Sequence, residues 1–389
     1  MTKAAIVGWA QTAFGRLDDP DVESLMARVS RAALDHAGVS PDMVDGIFVG
    51  VMNNGFSRQG FEAAQVALGV PELAYVPSMR LENACATGSA ALYSAIDFVD
   101  SGRGDIALVI GAEKMTGVAT SEAGDILLSA CYRKEEADVD GGFAGLFSKI
   151  AGSYFQRYGD RSAELAHIAA KNHANGVANP FAQMRKDLGF EFCNAISDRN
   201  PYVAPPLRRT DCSLISDGAA AMVVASPGGA ASLSREIGFL ARAHINDHLP
   251  LSRRNPIAFD GARRAWAQAF DQAGLGIFDL DLVETHDCFT IAELIEYEAM
   301  GLAEPGQGFR VVREGVATMG GKLPVNPSGG LKAKGHPIGA TGVSQHIMAC
   351  MQLTDTAGDM QVANATRAGV FNMGGAAVTN FVSILERRK

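Results

Sequence analysis

A duplication places the tightest limit on how this chain can fold. The segment Ala33-Leu34-Asp35-His36-Ala37-Gly38 recurs as Ala269-Phe270-Asp271-Gln272-Ala273-Gly274, an offset of 236 residues that persists at Asp45/Asp281 and Ile47/Val283. Each copy reads as a helix stopped by a glycine, a short loop and an apolar strand, Val44 to Val51 in one and Leu282 to Thr285 in the other. Downstream, Ala86-Thr87-Gly88 pairs with Ala340-Thr341-Gly342 at an offset of 254. Each opens a helix of small residues, Ser89 to Asp100 and Val343 to Leu353, with a strand expected after it at Asp105 to Ile110 and Gly369 to Asn372. Two matches in the same order, each followed by a strand, favour duplication over chance. Both halves read β-α-β-α-β-α-β, which predicts mainly parallel sheets covered by helices.

Between the halves, Met115 to Thr210 carries mixed charge, Gly141-Gly142, Asn179-Pro180 and Pro205-Pro206, and predicts a helical, loop-rich insertion. Ser213 to Ala225 returns to strand character and completes the first sheet. The expected division is residues 1–114 plus 211–228 for the first half, 115–210 for the insertion and 229–389 for the second half.

Composition narrows the partners. Lysine and arginine number 34 against 43 acids, a net charge of −9, with no basic stripe, so nucleic acid is an unfavoured partner. A chain 47% apolar and 20% charged carries a sizeable core and is not disordered. No apolar run reaches the ~18 residues of a membrane span. The cysteines Cys85, Cys131, Cys193, Cys212, Cys288 and Cys350 form no Cys-x-x-Cys pair, and read as reduced thiols rather than a disulfide framework or zinc site. Met1 to Gly8 reads as a first strand rather than a signal peptide, and the last residues are not Ser-Lys-Leu. A soluble cytoplasmic protein is expected.

Three segments carry candidate chemistry. In Asn83-Ala84-Cys85-Ala86-Thr87-Gly88-Ser89, Cys85 follows a strand expected at Ala74 to Pro77 and opens a helix. The helix N-terminus would stabilise a thiolate and receive an oxyanion. An inert buried cysteine is the other reading of that segment. In Asn326-Pro327-Ser328-Gly329-Gly330-Leu331-Lys332-Ala333-Lys334-Gly335-His336-Pro337, glycines and prolines fix one histidine at a loop tip, or simply build a turn around it. In Glu284-Thr285-His286-Asp287-Cys288-Phe289-Thr290, a His, an Asp and a Cys cluster at a strand's carboxyl end, where α/β folds place sites. Helix capping by Asp287 or Thr290 is the alternative there, and the triplet is weak evidence for zinc. His167 and His173 are expected at the surface or on a pocket wall of the insertion, His244, His248 and His346 show no partner pattern, and Arg208-Arg209 reads as a solvated charge pair. No Gly-x-Gly-x-x-Gly follows a strand, so a dinucleotide site has no support.

Taken together, these segments resemble the thiolase superfamily over essentially the whole chain. Asn83-Ala84-Cys85 looks like its nucleophile motif, Gly335-His336-Pro337 in its Asn-x-x-Gly-Gly frame like its histidine motif, and Ser216-Asp217-Gly218-Ala219-Ala220-Ala221 like its strand before the second half. Two departures narrow the branch. His286-Asp287-Cys288-Phe289 stands where most thiolases carry Asn-Glu-Ala-Phe, and Asn372-Met373-Gly374 stands where most carry Cys-x-Gly. Both resemble the thiolases related to sterol carrier protein and the archaeal and bacterial enzymes like them.

The resemblance implies a five-layered α-β-α-β-α fold and acyl transfer through a Cys85 thioester. It implies His336 as base, Cys288 as the second acid/base, and His336 with a water held by His286 serving the enolate oxygen. It also implies the Cys85 and Gly374 N–H groups as an oxyanion hole and Phe289 beside the pantetheine channel. It implies acyl-CoA and CoA as substrates, no tightly bound cofactor or metal, and a homodimer or homotetramer. Transfer to a non-CoA acceptor, a retro-aldolase, and a non-catalytic scaffold in complex with a small zinc-ribbon/OB-fold protein are the alternatives.

Overall fold

The structure, a computed structural model, describes residues 2–389. The first half runs β1 (Ala5–Gln11), α1 (Val22–Ala37), β2 (Gly46–Gly50), α2 (Glu62–Gly69), β3 (Ser78–Leu81), α3 (Thr87–Asp100) and β4 (Ile106–Lys114). The insertion holds α4 (Thr120–Leu127), α5 (Arg133–Glu136), α6 (Gly142–Tyr158), α7 (Ser162–Ala178), α8 (Gly189–Asn194) and a small ribbon, β5 (Tyr202–Ala204) with β6 (Leu207–Arg208). Then come β7 (Asp217–Ala225), α9 (Pro227–Ala230), β8 (Ile237–Asn246), α10 (Asp260–Ala273), β9 (Leu282–Glu284), α11 (Thr290–Ala299) and α12 (Gly308–Arg313). The chain closes with α13 (Gly330–Lys334), α14 (Ile338–Leu353), β10 (Arg367–Gly374) and β11 (Thr379–Arg387).

The strands form one sheet of order β3-β2-β4-β7-β1-β8-β11-β10-β9. Its two halves meet at β1 and β8 through Ala5↔Gly238 and Ile6↔Ile237. Read outward from that seam, the halves have mirrored strand orders. The second-half counterpart of β3 is a single bridge, Val283↔Val325. The duplication extends to atoms. Gly38 and Gly274 end α1 and α10 in the left-handed conformation, at φ 72° and 65°. Asp45 Oδ2 accepts the N–H groups of Asp105 and Ile106 at 2.7 and 3.0 Å, and Asp281 Oδ2 accepts those of Thr366 and Arg367 at 2.7 and 2.9 Å. Each aspartate, just before β2 or β9, clamps the start of the parallel strand that pairs with it, β4 or β10.

The sheets are mixed, which corrects the mainly parallel expectation. β2 runs parallel to β3 and β4, and β9 parallel to β10. β7 runs antiparallel to β4 and β1, and β11 antiparallel to β8 and β10. The reason is connectivity. A parallel pair needs a crossover, but β11 follows β10 by a short turn and β7 returns out of the insertion.

Five layers result: α1 outside the first half-sheet, α10 outside the second, and α3 and α14 packed on each other between them. The two Ala-Thr-Gly copies meet at that central crossing. A Cβ on Gly88 would sit 2.8 Å from the Gly339 carbonyl oxygen, and one on Gly342 only 2.4 Å from the Ser89 nitrogen. Glycine therefore brings the helix that follows Cys85 against the helix that follows His336.

Some boundaries shift. The strand expected at Ala74 to Pro77 lies at β3, because a 3-10 turn at Pro71–Leu73 precedes that stretch and Tyr75 within it turns to φ 71°. α14 begins at Ile338, directly after Pro337, rather than at Val343. The Arg208 half of the solvated charge pair is also corrected. Arg208 is 2% exposed, pairs with Asp211 at 2.8 Å and donates to the Ser162 carbonyl at 2.7 Å. It ties the start of α7 to the end of the insertion. No helix among the described residues is long and apolar enough to cross a membrane.

Candidate active site

Cys85 leaves β3 through a strained turn. Ala84 has φ 49°, and its N–H is held by Glu82 Oε1 at 2.5 Å. This turn places Cys85 two residues ahead of the 14-residue helix α3, at its positive end. Cys85 is 3% exposed, and the backbone N–H groups of Gly375 and of Cys85 itself favour its thiolate form. Gly374, the residue expected to contribute such a donor, approaches so closely that a Cβ there would lie 2.3 Å from the Asn83 carbonyl oxygen.

His336 is held at three points. Its N–H donates to Ser216 Oγ at 2.9 Å, Gly335 turns at φ 106°, and Nδ1 lies 2.7 Å from Thr341 Oγ1. The Thr341 hydroxyl hydrogen goes to the Pro337 carbonyl at 3.0 Å. A carbonyl only accepts, so Thr341 Oγ1 accepts from His336 Nδ1–H, and Nε2 carries a lone pair. That nitrogen is buried and without a protein partner.

His286, Asp287 and Cys288 follow β9. Asp287 is a fastener, but not of the helix it precedes: α11 has Phe289 at its start and no side-chain cap there. The Asp287 carboxylate accepts the N–H groups of Leu331 and Lys332 at 2.6 and 3.2 Å and Asn172 Nδ2 at 2.8 Å. It thus starts α13, which ends at His336's own loop, and ties both to α7. Thr290 Oγ1 donates to Asp211 Oδ1 at 2.9 Å. Cys288 is 2% exposed, and its carbonyl accepts the Ser213 N–H at 2.9 Å. Phe289 stacks on Phe147 of α6 at 4.3 Å and 21°, so the insertion closes over this loop.

The segments converge. Cys85 Sγ and one nitrogen each of His286 and His336 lie within 4.8 Å of one another, with the two rings 5.0 Å apart and nearly perpendicular at 82°. Cys288 stands next to this set, close enough that charge on Cys85 would oppose charge on it. Burial dominates the protonation states. It pushes the Cys85 thiol up to about 12 and His336 down to about 3, the latter aided by Lys334. It also holds His286 well below, and Cys288 well above, their ordinary values. At rest the centre consists of neutral thiols and neutral imidazoles. The three atoms are close enough to one another for a metal ion, and binding one would require the Cys85 thiol to give up its proton.

Sequence reading overlooked Asn372, noticed only as a missing cysteine. It is fully buried on β10 and bonds to Ser89, Cys85 and His286. Gly375 and Thr341 were also overlooked. Outside the site, His167 stacks on Phe190 at 4.0 Å, His173 is buried within α7, and His346 bonds to the Gly342 carbonyl and Ser383 Oγ.

A duplicated five-layered fold, with a cysteine before one central helix and a histidine before the other, defines the thiolase-type acyltransferases as a class. The chain belongs to the thiolase family. The family description "Thiolase, N-terminal domain" matches residues 4–189, and "Thiolase C-terminal domain-like" matches 243–387. It is 35% identical over 393 residues, and over all of both chains, to the acetyl-CoA acetyltransferase of Methanothermobacter thermautotrophicus. It is 32% identical to human sterol carrier protein 2, over 97% of this chain and 71% of that protein. These relatives match the branch indicated by the His-Asp-Cys-Phe segment. Among solved structures, the Ltp2-ChsH2(DUF35) aldolase superposes with TM-score 0.83 at 21% identity, covering 100% of this chain and 99% of that one. Human mitochondrial 3-ketoacyl-CoA thiolase in complex with CoA superposes with TM-score 0.76 at 18% identity, covering 99% and 98%. Both share the fold.

Proposed function

We propose that the protein is a thiolase that works through an acyl-enzyme on Cys85, joining acyl-CoA to acetyl-CoA and, in reverse, cleaving 3-ketoacyl-CoA with CoA. The observation that carries this reading is the buried meeting, within 4.8 Å, of the Cys85 thiol with a ring nitrogen of His336, whose Nε2 is left without a protein partner. A buried neutral pair costs less than an ion pair at rest. Charge then develops only when a thioester is present to be attacked. The Cys85 proton passes to His336 Nε2 as sulphur bonds to the thioester carbon, and CoA leaves with the Cys288 proton as the C–S bond breaks, so that His336 now carries Nε2–H and Cys288 is a thiolate. Backbone N–H groups at Cys85 and at Gly374-Gly375 serve the tetrahedral oxyanion. In the second half-reaction the Cys288 thiolate takes the α-proton of acetyl-CoA while His286 and the protonated His336 serve the enolate oxygen, and the enolate carbon then bonds to the acyl carbon as the Cys85–acyl bond breaks and Cys85 regains its proton from His336. Phe289 borders the pantetheine. No tightly bound cofactor is required.

A retro-aldolase is the second reading, supported by the likeness to an aldolase. Cys85 and its base favour the thiolase. A small zinc-ribbon/OB-fold partner is proposed by extension from that aldolase, whose name includes a second protein. A homodimer through the first-half sheets is supported by β3, an edge strand with Met79 46% exposed and Tyr75 beside it fully exposed. The division at 1–114 with 211–228, 115–210 and 229–389, and a cytoplasmic location, belong to the same reading.

Incubation with acetyl-CoA followed by peptide mass mapping tests the mechanism. An acetyl group on Cys85, together with thiolysis of acetoacetyl-CoA, is expected. Label on another residue under turnover would overturn the assignment.

A further inference from the structure

The two histidines of the centre are not equivalent, and the difference traces to Asn372. Its amide has one allowed orientation. Nδ2 lies 3.1 Å from the Cys85 carbonyl, which only accepts, so that atom is the donor. Oδ1 on the other side accepts Ser89 Oγ–H at 2.7 Å. The second hydrogen of Nδ2 then points to His286 Nδ1 at 2.9 Å. His286 is fully buried, and burial keeps its ring neutral with a single hydrogen. Because Nδ1 accepts, that hydrogen sits on Nε2. His286 Nε2 has no partner in the protein.

We propose that Asn372 is a positioning residue that holds His286 as the Nε2–H tautomer and so turns a hydrogen-bond donor toward the thioester oxygen of the bound substrate. This inference rests on the thiolase reading and adds a division of labour to it. Thr341 makes His336 an acceptor at Nε2; Asn372 makes His286 a donor at Nε2. One ring can take the Cys85 proton while the other stabilises the oxygen of the enolate. It also gives the missing late cysteine a physical sense. The amide at position 372 serves His286, and the nearby thiol is supplied by Cys288 from the same loop.

Asn372→Asp reverses the bond. A carboxylate only accepts, so it draws the hydrogen of neutral His286 to Nδ1 and leaves Nε2 bare. Condensation and thiolysis should fall by ~10²-fold at about pH 9, the scale of a lost oxyanion donor. Acetylation of Cys85, served by backbone N–H groups, should persist. As pH falls toward about 6, the carboxylate favours a second proton on His286. That restores Nε2–H, so the ratio of variant to wild-type activity should rise. Asn372→Ala should lower activity with a flat ratio. If the two variants behave alike across pH, Asn372 is merely structural and the proposal fails.

Long-range 1H–15N spectra of histidine-labelled wild-type protein provide a readout independent of both activity and variant folding. His286, assigned from its absence in His286→Gln, should be protonated at Nε2. A hydrogen on Nδ1 would overturn the proposal. If wild-type Cys85 is never acetylated but His286 shows Nε2–H, the thiolase mechanism fails while the tautomer assignment stands.

Discussion

Replacing Asp287 should damage the fold before it damages the chemistry. Its carboxylate accepts Leu331 N–H, Lys332 N–H and Asn172 Nδ2–H, all inside the protein. Asp287→Ala leaves these buried donors without a partner, at ~1–3 kcal/mol each. Some recover by local shifts or by admitting water, so a net loss of ~3–5 kcal/mol is expected, comparable to breaking a buried polar pair. Asp287→Asn keeps the shape and one acceptor oxygen but turns an N–H₂ toward a donor, and should lose ~1–2 kcal/mol. The two tryptophans, Trp9 and Trp266, report urea unfolding by fluorescence. The midpoint should fall in the order wild type, Asn variant, Ala variant. Thiolysis by both variants should also drop, because the same carboxylate sets α13 and the loop carrying His336. An Ala variant as stable as wild type would refute the fastening role. A stable but inactive one would return Asp287 to the list of catalytic candidates.

Cys288→Ala should still accept an acetyl group on Cys85 yet lose condensation and thiolysis by ~10²-fold, the scale of a missing general base; a normal steady state following a normal acetylation burst would remove Cys288 from the mechanism. Acetylation of Cys85 by acetyl-CoA should be nearly independent of pH between about 6 and about 9, since His336, pushed down to about 3, stays neutral above that value and Cys85, pushed up to about 12, stays a thiol below it; an inflection near neutrality in stopped-flow traces would contradict the neutral pair. Stability should decline as pH rises from about 4 to about 7, because the buried Glu113 carboxyl is raised to about 7 and favours the folded state only while protonated; Glu113→Gln should flatten that slope in urea titrations, and an unchanged slope would show that other groups cause it. Gly342→Ala should destabilise by ~1–3 kcal/mol, given a Cβ 2.4 Å from Asn372 Oδ1 and the Ser89 nitrogen; a wild-type melting temperature would mean that the central helices can part.

Features that depend on local sequence were legible without the structure. A glycine after a helix closes it by its own backbone freedom, so Gly38 and Gly274, within the two matching segments, marked equivalent helix ends in the two halves. The runs around Cys85 and His336 show their chemistry because each needs small residues and turns within a few positions. The resemblance to thiolases, and its branch, follow from such runs. Strand direction did not follow, since an alternation of strands and helices does not say whether β7 returns from the insertion parallel or antiparallel.

Nor could hydrogen-bond polarity be read. Whether Asp287 reacts or fastens depends on backbone N–H groups 44 and 45 residues away, and Arg208 is buried because Ser162, 46 residues earlier, turns its carbonyl toward it. Asn372 lies 86 residues from His286 and 287 from Cys85. A neutral imidazole carries its single hydrogen where its neighbours allow, so the sequence by itself determined that two histidines and two cysteines were present near helix starts. Only the tertiary structure, by burying them and assigning each nitrogen a partner, decided that Nε2 of His336 is an acceptor and Nε2 of His286 a donor.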